Sequence, residues 1–309
     1  MSGFRCPVCG APLAMAERAY ACPGGHSFDR AKSGYVNLLL PDQKHSKSPG
    51  DNPLMVTARR EFLGKGWYRP LAGAMSGLLC EQLPEGASLT VLDAGCGEGY
   101  YTEQFRAALT EAGRPFRLLG VDISKTAADK AARRAKAAGV PPEEIRYAAA
   151  SVFRLPVPDG GCDVLLNLFA PYCGEETCRV LRPDGTLLLA VPGVEHLWEL
   201  KEAAYDRPYR NEVKDPALEG FALTARRAVS YPMTLKNTDD SRDIENLFRM
   251  TPYYYKTGRT EQERVAALTE LTVTAAFELF AYRRLAPGKR SQSGKTVVNA
   301  GNVGFSALI

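Results

Sequence analysis

The sequence predicts an α/β fold, a doubly wound parallel sheet with a small metal-binding module in front of it. Three observations support this prediction. Strand-like segments alternate with helical ones from Leu89 to Val191, a glycine-rich turn follows the first of those strands, and four Cys and His residues cluster near the N-terminus. The 309 residues, with 45% hydrophobic and 24% charged side chains, are enough for one large domain and a small attachment.

The composition excludes several classes of protein. No segment approaches the roughly 18 consecutive apolar residues of a membrane span. The first residues, Met-Ser-Gly-Phe-Arg-Cys, have no apolar stretch typical of a secretory signal. We therefore expect a cytoplasmic protein with no membrane partner, in which the eight cysteines are metal ligands or buried thiols rather than disulfides.

The first organised segment has the ligand spacing of a zinc site. Its pattern is Cys-x2-Cys-x12-Cys-x3-His, formed by Cys6, Cys9, Cys22 and His26. Proline and glycine next to both pairs predict tight turns on which ligand atoms converge. Three thiolates and one imidazole fill a tetrahedral shell and leave no position for water, so the predicted Zn²⁺ is structural. We assign residues 1–36 to this module, with ordinary buried thiols as the alternative.

A polar stretch from His45 to Asn52 predicts a linker, and residues 37–70 are assigned to it and to a basic helix over Val56–Leu63. Residues 1–70 hold ten Lys and Arg against five Asp and Glu, whereas residues 71–200 hold twelve against seventeen. This asymmetry favours a polyanion that contacts the N-terminal part, with a solvated basic surface as the commoner alternative.

A glycine-rich turn between a strand and a helix predicts a ligand site. The strand Leu89–Asp93 is followed by Gly95, Gly97 and Gly99, and a helix is predicted from Glu98 to about Ala112. Glycines let backbone N–H groups approach a ligand, and the helix start favours a negative group. The next strand, Arg117–Val121, ends at Asp122, where a carboxylate can accept hydrogen bonds from ribose hydroxyls. Together these features indicate a nucleoside-bearing cofactor.

The segments that follow continue the alternation, so the sheet is predicted to be mostly parallel. They are a helix over Ala127–Ala138, strands over Glu144–Ala149 and Asp163–Phe169, a helix over Gly174–Leu181 and a strand over Thr186–Val191. A closing hairpin is predicted from Ala228–Leu235 and Val273–Arg283, with a helix near Asp240–Met250 between them.

Several motifs together resemble those of one enzyme family. Asp93-Ala-Gly-Cys-Gly-Glu-Gly99 is similar to motif I of the class I S-adenosylmethionine-dependent methyltransferases. The zinc knuckles, Ser27–Leu39, Pro49–Asp51, Ala58–Arg60, Gly99–Thr102 and Tyr231–Leu235 resemble the ribosomal RNA large-subunit methyltransferase A family. The resemblance extends over residues 4–284.

The resemblance implies a class I (Rossmann-like) domain over residues 71–284 that methylates guanine N1 in hairpin 35 of 23S rRNA, with S-adenosylmethionine as the methyl donor. Members of the family modify different neighbouring guanines, and one is associated with macrolide resistance. The resemblance also implies site residues. They are Cys6, Cys9, Cys22 and His26 for Zn²⁺, and Tyr68, Gly97, Glu98 and His196 for the cofactor. Asp93 and Gly95 belong to motif I, Asp122 matches the ribose-binding acid, and Ser151 stands where many class I enzymes have an adenine-binding Asp.

Methylation of guanine N1 requires that its proton be removed before the lone pair can react. A general base, or hydrogen bonds that favour the anion, should therefore lie near the methyl group. Asn167, at the end of the fourth predicted strand, is a candidate for orienting the base. Glu195 and His196 are candidates for handling the proton.

Other functions remain open from the sequence. Cys173 and Cys178 suggest a cytosine-C5 RNA methyltransferase, which needs a cysteine nucleophile. A methyltransferase for another guanine position, a small-molecule methyltransferase and a nonenzymatic zinc-containing RNA-binding protein are further alternatives. Residues 285–309 are predicted to be a basic tail, disordered or specific to this protein.

The RNA is expected to bind the zinc module together with four basic side chains, and a homodimer would widen that basic surface. The side chains are Lys44, Lys47, Arg59 and Arg60. From the sequence, loss of zinc is expected to unfold the module and weaken RNA binding while leaving much of the cofactor affinity.

Overall fold

A computed structural model describes residues 3–43, 50–84, 88–213 and 217–286. The N-terminal part contains β1 (Ala14–Met15), β2 (Ala19–Ala21), β3 (Ser27–Asp29) and β4 (Val36–Asn37), followed by α1 (Pro53–Gly64) and α2 (Arg69–Glu81). The central part contains β5 (Leu89–Ala94), α3 (Tyr100–Glu111), β6 (Phe116–Asp122), α4 (Lys125–Ala137), β7 (Ile145–Ala149), β8 (Cys162–Leu168), α5 (Gly174–Val180) and β9 (Leu181–Pro192). The C-terminal part contains α6 (Trp198–Ala204), β10 (Phe221–Thr238), β11 (Ser241–Arg242), α7 (Asp243–Arg249), α8 (Pro252–Lys256), α9 (Arg259–Ala266) and β12 (Glu270–Arg284).

One large sheet organises the described chain, in the order β11-β10-β12-β9-β8-β5-β6-β7-β4. Strands β4 to β9 pair in parallel, and β12 joins β9 and β10 in antiparallel fashion. This mixed sheet with its connecting helices confirms the predicted doubly wound class I fold. The carboxyl ends of β5, β6, β8 and β9 meet at one edge, which is where such sheets bind ligands.

Two apolar layers cover the two faces of the sheet. On one face, Val91 and Leu118 pack in a core with helix residues such as Phe62 of α1. On the other face, their neighbours Leu92 and Leu119 pack in a core with Phe4, Leu13 and Tyr20 of the N-terminal module. The alternation follows from the two-residue period of a strand. The module therefore covers a face of the sheet and shares its core, and β4 extends the sheet itself.

Several elements differ from their predicted bounds for local reasons. Helix α1 begins at Pro53, ahead of the predicted Val56, because the Asn52 side chain accepts a hydrogen bond from the Met55 N–H at 2.9 Å and caps the helix. Helix α3 begins at Tyr100, not Glu98, because Gly99 has a left-handed φ of 83°. The predicted closing hairpin pairs as expected, but α7, α8 and α9 lie between its two strands, and the last two of these helices were not predicted.

Some predictions concern residues outside the described ranges. Lys44 and Lys47 and nearly all of the predicted basic tail are among them. In the part of the chain that the structure describes, no helix is both long and apolar enough to cross a membrane. The proposed domain boundaries stay predictions.

Candidate active site and metal centre

The four predicted zinc ligands converge in the N-terminal module. The ligand atoms of Cys6, Cys9, Cys22 and His26 all lie within 4.8 Å of one another. The Sγ atoms of Cys9 and Cys22 are 3.6 Å apart, and Cys22 Sγ lies 3.4 Å from His26 Nδ1. A Zn–S bond of about 2.3 Å in a tetrahedron gives ligand separations of about 3.8 Å. The cluster therefore fits Zn²⁺, and its Cys₃His shell is complete without water.

A cavity of about 570 Å³ lies at the carboxyl ends of the central strands. Most of the predicted cofactor residues line it, namely Tyr68, Gly95, Gly97, Glu98, Asp122, Ser151 and His196. Asp93 does not line it, and its buried carboxylate instead accepts a hydrogen bond from Thr102 Oγ1 at 2.6 Å. Burial, followed by the nearby charge of Asp122, raises the pKa of Asp93 to about 7.

Close packing explains why the turn after β5 requires glycine. Gly95 has a φ of 90°, and a Cβ atom placed on it would lie 2.2 Å from the Cβ of Ala170. The turn is also hydrogen-bonded to its neighbours, since the Gly97 N–H donates to Asp122 Oδ2 at 2.9 Å. A side chain at position 95 would displace the wall of the cavity next to Ala170.

Both oxygens of Asp122 are already oriented by the backbone. Oδ2 accepts from Gly97, and Oδ1 accepts from the Ser124 N–H at 2.8 Å. The remaining lone pairs can accept hydrogen bonds from the two hydroxyl groups of a ribose. Burial raises the pKa of Asp122 to about 6; the charge of Asp51 adds to the rise, while the two N–H donors oppose it.

Cofactor affinity is expected to fall as the pH falls through 6. Protonation of Asp122 removes the acceptor that ribose hydroxyls need, so the affinity is highest above pH 7 and declines progressively as the pH falls through 6. For a pKa of about 6, the dissociation constant of S-adenosylhomocysteine should rise about tenfold between pH 7 and pH 5. Calorimetry on the wild type and on Asp122→Asn checks this, since the variant should bind weakly and with a smaller pH dependence, the remainder coming from Glu98. A wild-type affinity that stays constant to pH 5 would remove Asp122 from this role.

Glu98 lines the cavity, and one oxygen of its buried carboxylate has no hydrogen-bond partner among the described residues. Its Oε2 accepts from Arg134 Nη2 at 2.5 Å, while its buried Oε1 has no hydrogen-bond partner among the residues described. Burial raises the pKa of Glu98, and the charge of Arg134 opposes that rise. A buried carboxylate oxygen without a donor is costly unless a ligand supplies one, and an ammonium group is a matching donor.

His196 is held as a neutral ring with a defined tautomer. Its Nδ1 accepts a hydrogen bond from the Ala276 N–H at 3.3 Å. Burial, then the charge of Lys201, lowers the pKa of His196 to about 3. Because Nδ1 accepts, the single proton of the neutral ring is on Nε2. His196 therefore offers the cavity a fixed N–H donor and cannot act as a base through that nitrogen.

Neither of the other catalytic candidates lines the cavity. Asn167 is buried and donates from Nδ2 to the Pro171 carbonyl at 3.0 Å, so it holds the turn after β8 rather than a substrate. Glu195 accepts from Arg210 Nε at 2.7 Å in a half-exposed ion pair. Cys173 and Cys178 are also absent from the described residues that line the cavity.

Two further walls of the cavity come from segments to which the sequence analysis gave no cofactor or catalytic role. One wall is formed by Phe169, Ala170 and Pro171 after β8, and another by residues 250–253, 255 and 256 around α8. Arg59, expected on the RNA-binding surface, lines the cavity instead. It pairs with Asp51 and donates to the Met250 carbonyl at 3.2 Å. Two of the motifs that carry the family resemblance, Pro49–Asp51 and Ala58–Arg60, contain the residues of this ion pair, but the sequence analysis assigned neither motif to the cavity.

Comparison with known proteins agrees with this geometry. A family model described as "RlmA, N-terminal" matches residues 4–47, and one described as "Methyltransferase domain" matches residues 91–185. A protein of Micromonospora griseorubida, named provisionally as a 23S rRNA (guanine-N(1)-)-methyltransferase, is 36% identical, and the match covers 91% of this chain and 97% of that protein. A provisionally named counterpart in Bacillus subtilis is 33% identical over 87% of this chain and 92% of its own. The 23S rRNA (guanine(748)-N(1))-methyltransferase of Streptomyces fradiae is 38% identical over 65% of this chain and 67% of its own.

Proposed function

Because the chain belongs to the family of 23S rRNA (guanine-N1)-methyltransferases, we propose that it transfers a methyl group from S-adenosylmethionine to N1 of a guanine in hairpin 35 of 23S rRNA. The observation that carries this proposal is the cavity, in which Gly95, Gly97, Glu98 and Asp122 form a cofactor cradle at the carboxyl edge of the sheet. The Cys₃His cluster of the same chain supports a nucleic-acid substrate over a small metabolite.

The cradle residues have separate roles toward the cofactor. Asp122 would accept hydrogen bonds from the ribose of the cofactor. Glu98 would pair with its ammonium group, and the Nε2–H group of His196 would donate to its carboxylate. Ser151 Oγ accepts from the Phe153 N–H at 3.2 Å, which leaves its hydroxyl proton for an adenine nitrogen. When bound, S-adenosylmethionine supplies an electrophilic methyl group.

The other part of the cavity is aromatic and suits a flat base. Tyr101 and Phe169 line it with ring centroids 6.3 Å apart, and Phe169 holds a left-handed φ of 58° at the end of β8. Aromatic rings placed in this way can pack against the face of a flat base. We propose that the rings of Tyr101 and Phe169 orient the guanine in the cavity.

The rim of the cavity suits single-stranded RNA. Phe153 is 56% exposed and Tyr255 is 44% exposed, although both line the cavity. Exposed aromatic rings at the mouth can stack on bases that flank a flipped guanine. Next to Phe153, Arg154 donates to the Pro7 carbonyl at 3.3 Å, so the rim adjoins the first zinc knuckle. One RNA hairpin can therefore contact the module while its guanine enters the cavity.

We expect Phe153→Ala and Tyr255→Ala each to raise the dissociation constant of a hairpin 35 transcript about tenfold, since one stacked base contributes about 1–3 kcal/mol. Filter binding and initial methylation rates measure this. Leu223→Ala is the matched control, because Leu223 is 46% exposed and lies outside the described lining. Equal affinity of all three variants for the hairpin, or methylation of the hairpin and of a fully paired duplex at the same rate, would reject hairpin recognition. The homodimer stays a prediction.

A further inference from the structure

Behind the cavity wall lies a buried lysine with no role in cofactor binding. Lys201 of α6 has 0% exposure. Its Nζ donates to Asn211 Oδ1 at 2.6 Å and to the Tyr209 carbonyl at 3.1 Å. The same ammonium lies 4.7 Å from the ring centroid of Tyr209 and 5.1 Å from that of Tyr253. It is therefore held by two neutral oxygens and two aromatic faces.

Among the residues that the structure describes, this positive charge has no negative partner nearby. Within the described ranges, no carboxylate oxygen lies within 4.0 Å of the Lys201 ammonium. The carboxylate of Glu199, on the same helix, is bonded to the N–H and hydroxyl of Thr274 instead. Burial of an ion without a counter-ion is costly, and aromatic faces offset only part of that cost. A function that uses the charge would explain its presence.

The charge is only one side chain away from the cavity. Tyr253, whose ring faces the ammonium, lines the cavity, as does His196, whose pKa the Lys201 charge helps to lower. The Tyr253 hydroxyl is hydrogen-bonded to the Asn211 side chain, which also accepts from Lys201 and donates to the Gly193 carbonyl at 2.9 Å. Tyr253 and Asn211 thus connect the ammonium to the cavity wall.

We propose that Lys201 is a positioning residue for methyl transfer, whose buried charge acts through Tyr253 and Asn211 to stabilise the target guanine in its N1-deprotonated form. This inference rests on the proposed function. In the reaction, the N1 proton leaves to water and the N1 electron pair forms the bond to the methyl carbon. The electron pair of the broken carbon–sulfur bond stays on sulfur. A fixed positive charge favours the anion that must form first, at no cost in reorganisation.

Several other titratable groups lie around Lys201. They are His196, Lys256 of α8, and the phenols of Tyr205, Tyr209 and Tyr253. Burial, followed by the charge of Lys256, lowers the pKa of Lys201 to about 8, so the ammonium persists at neutral pH. Helix α9 packs on α6, and its Arg264 forms an ion pair with Asp206. None of these groups supplies an anion to Lys201.

The test is the pH dependence of single-turnover methylation with saturating cofactor and RNA. In Lys201→Met, we expect the rate at pH 7 to fall about tenfold and the apparent pKa of the rising limb to move up by about one unit, because the guanine ionises less readily. Lys201→Arg, which keeps the charge, should retain most of the wild-type profile. S-adenosylhomocysteine affinity should change less than twofold in either variant. Lys236→Met, an exposed site paired with Glu270, is the matched control.

The pH profile and the cofactor affinity of the variants decide whether the charge of Lys201 acts on the reaction. A rate that falls equally at every pH, or a cofactor affinity that falls as much as the rate, shows that Lys201 serves packing alone and overturns the inference. If Lys201→Met does not fold, Lys201→Gln against Lys201→Arg gives the same comparison of neutral and charged side chains. A wild type that does not methylate guanine N1 refutes the proposed function instead, so the two failures are distinguishable.

Discussion

Removal of the metal is expected to destabilise the whole protein, not only its N-terminal module. Phe4, Leu13 and Tyr20 share one apolar core with Leu119 and other sheet residues. Structural Zn²⁺ contributes on the order of 10 kcal/mol to the folding of a small module, which is comparable with the total stability of a typical domain. Without the metal, the module would no longer cover that face of the sheet.

The measurement compares Cys22→Ser with Cys80→Ser, a change at an exposed cysteine outside the cluster. We expect the first variant to bind no zinc, to melt at least 10 °C lower and to lose cofactor affinity, while the second behaves as wild type. The sequence alone predicts that cofactor affinity survives, whereas the shared core predicts its loss. A zinc-free variant with an unchanged melting temperature would contradict the shared-core interpretation.

Gly95→Ala is expected to reduce methyl transfer at least about a hundredfold, since a displacement of about 1 Å in an active site costs that much. The new Cβ would lie 2.2 Å from that of Ala170, in a residue with a φ of 90°. Backbone strain of about 1–3 kcal/mol and overpacking of about 1–3 kcal/mol should also lower the free energy of unfolding.

Two further variants separate the effect of backbone strain from that of overpacking. Gly113→Ala places a Cβ at a φ of 65° with no atom within 4 Å, so it should show strain without loss of activity. Ala170→Gly in the Gly95→Ala background leaves only Ala170 Cα at 3.6 Å and should restore part of the activity. Initial rates measure methyl transfer, and urea unfolding measures the free energy of unfolding. An active Gly95→Ala enzyme would show that the turn does not require glycine.

The sequence predicted those parts of the site that depend on short-range pattern. The zinc ligands form two pairs, and the two members of each pair lie on one short turn. Gly95 and Gly97 come just after the end of one strand, and Asp122 stands at the end of the next. Such features are set by local backbone geometry, and a sequence displays them as fixed spacing. The parallel sheet followed from the alternation of segments in the same way.

The parts that the sequence did not predict depend on contacts between distant segments. Asn167 was expected to face the substrate, yet its amide is bonded to the Pro171 carbonyl, and strand position alone does not indicate that choice. In the sequence, Arg59 resembles a solvent-exposed basic residue. Its contacts with Asp51 and Met250 form only in the folded chain. The wall around α8 lies far along the chain from the glycine turn, and no local pattern links the two.

The proposed reaction is defined by the atom that receives the methyl group, N1 of a guanine. The direct measurement incubates the purified protein with isotopically labelled S-adenosylmethionine and unmodified 23S rRNA, then digests the RNA to nucleosides for mass spectrometry. We predict label in 1-methylguanosine, at one residue per RNA, together with a reverse-transcription stop at that guanine, because a methyl group on N1 blocks the pairing edge. Label in a methylated cytidine or at another guanine atom, or no label in the RNA, would contradict the claim.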